Sequence, residues 1–180
     1  MAVMSGHNKW AQIKRQKGAN DAQRSNVWGK LGKRIAVESK KAKGDVNVSN
    51  LRSAIDIAKK ANMPKDNIDR AVAKGTSTEA AALEAITYET YGPGGAAIVI
   101  ETLTDSRNRT AQEMKHLLTE LGLALASPGS AAWAFEKTPA GEYTAKTTVP
   151  LSEADNEELL KILEKIDAHD DVEEVYTNAE

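Results

Sequence analysis

The spacing of the apolar residues changes near residue 76 of this 180-residue chain. Before that point they recur every three or four residues, which is the period of a helix with one buried face. After it, residues 86–91 and 96–103 form runs rich in β-branched and aromatic side chains, which is typical of strands. A chain that keeps the two patterns in separate stretches is predicted to belong to the α+β class.

The first stretch predicts three short helices, over residues 26–43, 50–62 and 65–74. Ser49 is expected to cap the second helix, and Gly75 is expected to end the third in a left-handed conformation. Residues 1–25 have scattered Lys, Arg and Gly and no apolar period, so we expect an extended basic arm there. The arm is therefore followed by a small three-helix bundle over residues 26–75.

A linker is expected over residues 76–82, followed by an acidic α+β domain over residues 83–180. Gly92-Pro93-Gly94-Gly95 is a strong turn signal between the first two strands. The other predicted elements are strands over 130–136, 142–149 and 172–177, a helix from a Thr110/Glu113 capping box to Leu121, and a helix that begins at Ser152. Gly122 is expected to end the first of these two helices. Strands that alternate with two helices suggest a split βαβ, ferredoxin-like sheet covered on one face.

Charge divides along the same boundary as periodicity. Residues 1–75 contain 17 Lys and Arg against 6 Asp and Glu, whereas residues 76–180 contain 7 against 20. A positive field of this density attracts phosphate polyanions, and neutralised phosphates release their counterions. We therefore interpret the first 75 residues as a nucleic-acid-binding module.

The candidate nucleic-acid contacts are the arm residues and the polar side of the first helix. They are His7, Lys9, Trp10, Lys14, Arg15, Lys17, Arg24, Lys30, Lys33, Arg34, Lys40 and Lys41. In the arm, cations with one aromatic ring and flexible glycines suit an irregular RNA surface, where a ring can stack on a base. In the acidic half, Arg107 and Arg109 lie near the start of a predicted helix, where they could contact a phosphate or a partner.

The sequence offers no enzymatic constellation. His7, His116 and His169 lie far apart without a metal-ligand spacing, and the chain has no cysteine. Gly92-Pro93-Gly94-Gly95 lacks the Lys and Ser/Thr of a phosphate-binding loop. We expect no catalytic residue, metal, cofactor or small-molecule substrate. With no apolar run of membrane-spanning length and no secretory signal, we expect a cytoplasmic protein that has no membrane partner.

Several separate segments resemble the YebC/PmpR family. The start has its Gly-His-x-Lys-Trp signature at Gly6, His7, Lys9 and Trp10. The later similar segments follow in the family's order: ANMPKDNIDRAVAKG, YGPGGAAIVIETLTDSRNRTAQEM, GSAAWAFE and DDVEEVYTNAE. Family members usually carry a further α/β domain after the Ala-Trp-x-Phe-Glu strand, where this chain has only about residues 137–147. The chain therefore resembles a shortened form.

The resemblance implies a non-enzymatic regulator of gene expression that binds nucleic acid through its helical domain. Some members are described as transcriptional regulators that bind DNA. Others act in translation, including on ribosomes that stall on difficult sequences. From the residues we favour a factor that binds ribosomal RNA and assists stalled or inefficient elongation, because a cationic arm with Gly and Trp suits RNA. A regulator that binds duplex DNA stays the alternative, and the oligomeric state stays open.

Overall fold

The computed structural model of the chain describes residues 21–77, 83–139 and 141–180. These residues form two compact units, a helical unit within Ala19–Leu83 and a sheet unit over Glu84–Glu180. The α+β class is confirmed, because the first unit is helical and the second combines antiparallel sheets with two α-helices.

The helical unit has three helices: α1 (Asp21–Ala42), α2 (Ser49–Lys60) and α3 (Lys65–Thr76). One apolar cluster lies between them, and its buried members are Ile35, Leu51, Ala54, Ile55, Ala58, Met63, Ile68 and Ala71. Burying these faces is the main source of stability for α2 and α3, since an isolated helix of about 12 residues is marginal in water.

Helix α1 begins earlier than the sequence predicts. The expected extended arm covers residues 1–25, but the backbone is already helical from Asp21. Ala22, Gln23 and Arg24 are good helix formers, and nothing in the sequence stops α1 from extending back through them. Residues 1–20 lie outside the described residues, and so do 78–82 of the expected linker, whose first residue, Thr76, belongs to α3.

Two predicted helix ends are wrong. Ser49 is the first helical residue, not the cap; Val48 occupies the cap position and makes no side-chain cap hydrogen bond. Gly75 lies within α3 and is buried, so it does not end the helix in a left-handed conformation. A methyl group placed on Gly75 would lie 2.3 Å from the carbonyl oxygen of Ala36. The glycine is therefore needed for the close approach of α3 to α1.

The sheet unit contains a three-stranded antiparallel sheet of β1 (Glu84–Tyr91), β2 (Ala97–Thr104) and β5 (Val172–Thr177), with β2 in the centre. Its two helices are α4 (Arg107–Glu120) and α5 (Glu153–Asp167), which pack on one face. Strands β3 (Phe135–Lys137) and β4 (Tyr143–Ala145) form a small hairpin whose residues pack on the other face. Both faces of the main sheet are thus covered, not one as the sequence suggested.

The described strands do not form the split βαβ connection that the sequence suggested. Strands β1 and β2 are consecutive antiparallel neighbours, with Tyr91 opposite Ala97 at the hairpin end. Strand β2 then pairs directly with β5, which is also antiparallel to it. A split βαβ unit needs parallel strands joined through a helix, and the short Gly-Pro-Gly-Gly turn forces a hairpin instead.

Ser152 and Gly122 behave as predicted, whereas Thr110 does not. The Ser152 hydroxyl accepts from the Asp155 N–H at the start of α5, and Gly122 follows α4 with a φ of 74°. Thr110 lies inside α4, which is preceded by Ser106, so the expected capping box is not formed. Predicted strand 130–136 is largely a 3₁₀ turn (Ala132–Ala134) before β3 begins.

Candidate nucleic-acid interface

The orientation of α1 is fixed by its buried stripe. Trp28, Leu31 and Ile35 share one side of the helix and pack into the apolar cluster of the helical unit. The Trp28 indole N–H also donates to the carbonyl of Ala61, at 3.0 Å. Trp28 is therefore half-buried and packs against the core.

The predicted cations of α1 lie on the opposite side of that helix. Counted along the helix, Lys30, Lys33, Arg34, Lys40 and Lys41 cover an arc of about 120° that excludes the buried stripe. Arg34, Lys40 and Lys41 are exposed, and Lys30 and Lys33 are half-buried with intramolecular partners of their own. Lys41 also pairs with Glu38, at 2.7 Å. We call this set the α1 basic face.

The C-terminal ends of α1 and α3 converge beside the α1 basic face. The methyl position on Gly75 would lie 3.0 Å from the backbone nitrogen of Lys40, and that on Gly44 would lie 2.9 Å from the Thr76 side chain. Lys74, which precedes Gly75, and Lys43, which precedes Gly44, are exposed near this junction. The position of Lys74 could not be predicted from the sequence, because a contact between distant helices brings it there and no local pattern encodes it. Lys43 lies one residue beyond the end of α1, so its place beside Lys40 and Lys41 needs no such contact.

The predicted arm contacts cannot be placed. His7, Lys9, Trp10, Lys14, Arg15 and Lys17 lie outside the described residues. Arg24 belongs to the first turns of α1. The α1 basic face is therefore the part of the predicted interface whose geometry is defined.

Arg107 and Arg109 differ in their surroundings. Arg107 is the exposed first residue of α4. Arg109 contacts three carboxylates: Asp171 at 2.7 Å, Asp105 at 3.1 Å and Glu113 at 3.6 Å. The hydrogen bond with Asp171 is the main reason that the pKa of Arg109 is raised. Three nearby carboxylates oppose the approach of a phosphate to Arg109, so Arg107 is the better placed of the two.

Asp171 is the centre of a buried polar cluster. Its side chain is only 4 % exposed and accepts from Arg109 and from the Thr110 hydroxyl, at 2.8 Å. The hydroxyls of Thr110 and Thr104 lie 2.7 Å apart, and Thr104 accepts from the Ser106 N–H. Asp171 stands in an acidic stretch, residues 167–174, but it is not solvated. The cluster ties the start of α4 to the segment that leads into β5.

Glu113, His169 and Asp171 bring three possible metal-ligand atoms together, and within the described ranges no other such group is found. The hydrogen bonds argue against a metal. His169 Nδ1 accepts from the Asp171 N–H at 3.1 Å, so the ring proton is on Nε2, which lies 3.3 Å from Glu113 Oε2. Neither ring nitrogen has a lone pair left for a cation in this arrangement.

Family models match almost the whole chain. The model described as "TACO1/YebC protein N-terminal domain" matches residues 8–78, and the model described as "TACO1/YebC second and third domain" matches residues 83–141 and 139–179.

The chain belongs to the TACO1/YebC family.

Bacterial relatives in the TACO1/YebC family are named "Probable transcriptional regulatory protein". The relative from Petrotoga mobilis is 43 % identical over 98 % of this chain and 71 % of its own length. The relative from Chlorobaculum parvum is 46 % identical over 89 % of this chain, which spans 62 % of that relative. The alignment with the relative from Kosmotoga olearia is 37 % identical and covers 238 positions. That number exceeds the 180 residues of this chain, so this relative has residues for which the chain has none.

A solved structure has the same architecture as this TACO1/YebC chain. A conserved hypothetical protein from Aquifex aeolicus matches with a TM-score of 0.78 and 26 % identity. The match covers 89 % of this chain and 91 % of that protein. Among the described residues, no helix has both the length and the apolar character that crossing a bilayer requires.

Proposed function

We propose that this chain is a non-enzymatic regulator of gene expression that binds nucleic acid through the α1 basic face. The observation that supports this most is the separation of the two sides of α1. The apolar stripe is buried in the core, and five cations share the other side. Such a side offers several phosphate contacts at once, which a solvated surface of mixed sign does not.

The target we propose is RNA, and within it the RNA of the ribosome, where the protein would assist stalled or inefficient elongation. Duplex readout usually needs a helix that can enter the major groove. Helix α3 is a poor candidate, since it exposes Asp66 and Asp69 and its Arg70 donates to Asn67. The backbone phosphates that flank a DNA groove would repel these two carboxylates. Cations on a helix face, by contrast, suit an irregular RNA surface.

A duplex-DNA-binding transcriptional regulator is the second candidate. The name of the bacterial relatives, "Probable transcriptional regulatory protein", favours it. This function requires an element that enters a groove and, in the usual case, a symmetric dimer.

Nuclease sensitivity of the cellular assembly separates the two candidates. The tagged full chain is sedimented from a lysate through a gradient, with and without RNase or DNase. Binding to ribosomal RNA predicts co-sedimentation with ribosomal particles that RNase abolishes and DNase leaves intact. Loss of a fast-sedimenting form with DNase alone would contradict the RNA proposal and support the DNA one.

Two double variants, each of which removes two positive charges, test the α1 basic face itself. Arg34→Gln combined with Lys40→Gln removes two exposed cations from the α1 basic face. Lys161→Gln combined with Lys165→Gln removes two exposed cations from α5 and serves as the matched control. We expect the first pair to weaken binding of an oligouridine RNA and the second to leave it unchanged. Equal effects of the two pairs would show that net charge alone matters and would reject the α1 basic face.

A further inference from the structure

Trp133 is the most exposed of the large apolar side chains that the structure describes, at 60 %. Tyr91 and Leu125, at 39 % and 37 %, are exposed as well. Tyr91 contacts Trp133, and the loop that carries Leu125 runs beside β1, since the Ala126 N–H donates to the Glu89 carbonyl at 2.8 Å. Exposed aromatic residues that lie together are characteristic of interaction sites.

The Trp133 ring is held in place. Its indole N–H donates to the Tyr91 hydroxyl at 3.1 Å, and that hydroxyl donates to the carbonyl of Ser130. The residues on both sides of Trp133 in the chain restrain it too, because Ala131 and Ala134 are fully buried. Trp133 is thus presented to solvent by a fixed backbone.

A buried carboxylate anchors this backbone. Glu89 of β1 accepts from the N–H groups of Gly129, Ala131 and Ala132, at 2.7, 2.7 and 2.8 Å. Burial opposes ionisation of Glu89, but the three N–H donors outweigh it, so the pKa of the carboxyl is lowered. Burying an ion is costly, and here the ion fixes the loop that displays an exposed tryptophan.

The chemistry of the exposed surface favours stacking. The indole N–H already has its acceptor, so the faces of the ring are what Trp133 offers to a ligand. Two planar groups fit such a face: a nucleobase, or the guanidinium group of an arginine.

Charge decides between these two groups. The sheet unit, Glu84–Glu180, has 7 Lys and Arg against 19 Asp and Glu. In and beside the β3–β4 hairpin, which follows Trp133 in the chain, Glu136, Glu142 and Lys146 are exposed. Lys137 pairs with Glu101 at 3.5 Å and lies over the Tyr143 ring. A unit with this excess of carboxylates repels a phosphate backbone and attracts an arginine-rich segment.

We propose that Tyr91 and Trp133 form a docking surface for a basic protein segment, with an arginine guanidinium stacked on the Trp133 ring. The helical unit would then bind the nucleic acid, and the sheet unit would bind a basic protein associated with it. This surface does not depend on the α1 basic face, so either proposal can fail while the other holds.

The test uses the full chain and a fluorescent peptide of Arg-Gly-Gly repeats, with binding followed by anisotropy. We expect Trp133→Ala to weaken binding about five- to tenfold, and Trp133→Phe to weaken it less, because the phenyl ring keeps a smaller stacking face. Ile57→Ala removes a comparably exposed apolar side chain from the helical unit and is the matched control, with no change expected. A Lys-Gly-Gly peptide of the same charge should bind more weakly, since its ammonium group is not planar.

Three outcomes would overturn the proposal. In the first, Trp133→Ala leaves the affinity for the arginine peptide unchanged. In the second, Trp133→Ala weakens binding of an oligouridine RNA and not of the peptide, which would make the ring a base-stacking site. In the third, the chain dimerises in sedimentation equilibrium and Trp133→Ala abolishes the dimer without affecting the peptide, which would assign the surface to a second copy.

Discussion

At Gly75 the structure leaves no room for a side chain. A methyl group there would lie 2.3 Å from the Ala36 carbonyl oxygen and 2.7 Å from the Ser39 Cβ, both on the opposing helix. Ser39 is itself buried, and its hydroxyl donates to the Val72 carbonyl at 2.7 Å. This hydrogen bond and the glycine together set the distance between α1 and α3.

Gly75→Ala is expected to lower the free energy of unfolding by about 1 to 3 kcal/mol, because overpacking outweighs the better helix propensity of alanine. The matched control is Gly29→Ala in α1, where the added methyl group would meet no atom within 4 Å apart from its chain neighbours and the adjacent backbone of α1. That change should stabilise the protein by up to about 1 kcal/mol. Urea unfolding of both variants measures the two effects, and a neutral or stabilising Gly75→Ala would contradict the packing described for α1 and α3.

Glu89→Gln is expected to destabilise the protein by roughly 1 to 3 kcal/mol at neutral pH. The side-chain NH₂ of the glutamine would face backbone N–H groups that donate to the carboxylate in the wild type, and two donors cannot pair with each other. The folded-state pKa of Glu89 is lowered, so its contribution is complete above the ordinary carboxyl pKa of 4.5 and is lost as the pH falls through the folded value. The stability difference between wild type and variant should therefore shrink in acid.

Chemical unfolding at neutral pH and at a pH below 4.5 measures this difference. Glu136→Gln, which changes an exposed carboxyl on β3, should alter stability little at either pH. A difference between wild type and Glu89→Gln that is constant with pH would show that the charge of Glu89 has no part in holding the loop.

At the scale of elements, the buried cluster around Asp171 joins α4 to β5. Thr110→Val keeps the shape of the side chain and removes the hydroxyl that contacts both Asp171 and Thr104. We expect a loss of about 1 to 3 kcal/mol, since a buried carboxylate loses a donor. Thr119→Val, on the exposed side of the same helix, is the control with little expected effect. Equal stabilities of Thr110→Val and wild type would rule out this role.

The same cluster predicts how the protein responds to metal. Because His169 uses Nδ1 as an acceptor and carries its proton on Nε2, zinc at moderate excess should leave the melting temperature unchanged. A chelator should have no effect either. A rise in melting temperature with zinc that His169→Gln removes would show that the ring rearranges to bind the ion.

The elements that could be predicted from sequence are those with local causes. The stripe with Trp28, the Ser152 cap and the left-handed Gly122 each depend on neighbours within one or two turns. Gly75 and Thr110 were misread as a helix end and a capping residue because their partners lie on other elements. Glu89 could not be recognised at all, since its acceptor role needs N–H groups 40 or more residues away.

At the scale of the whole molecule, charge and periodicity divide at the same place along the chain. The cations of the candidate interface could be predicted for α1 because helical periodicity puts them opposite an apolar stripe. Lys74 could not, because it joins that surface only through the contact of α1 with α3. Binding of nucleic acid by the basic half requires that this half contributes the phosphate contacts and that the acidic half does not.

The salt dependence of RNA binding tests this requirement most directly. The affinity of the full chain for oligouridine is measured over a series of salt concentrations, for wild type, for Arg34→Gln with Lys40→Gln, and for Lys161→Gln with Lys165→Gln. Two lost phosphate contacts on a single strand should reduce the slope of log affinity against log salt by about 1.4 in the first pair, with no reduction in the second. Equal slopes for all three proteins, or no binding by wild type at low salt, would contradict the account.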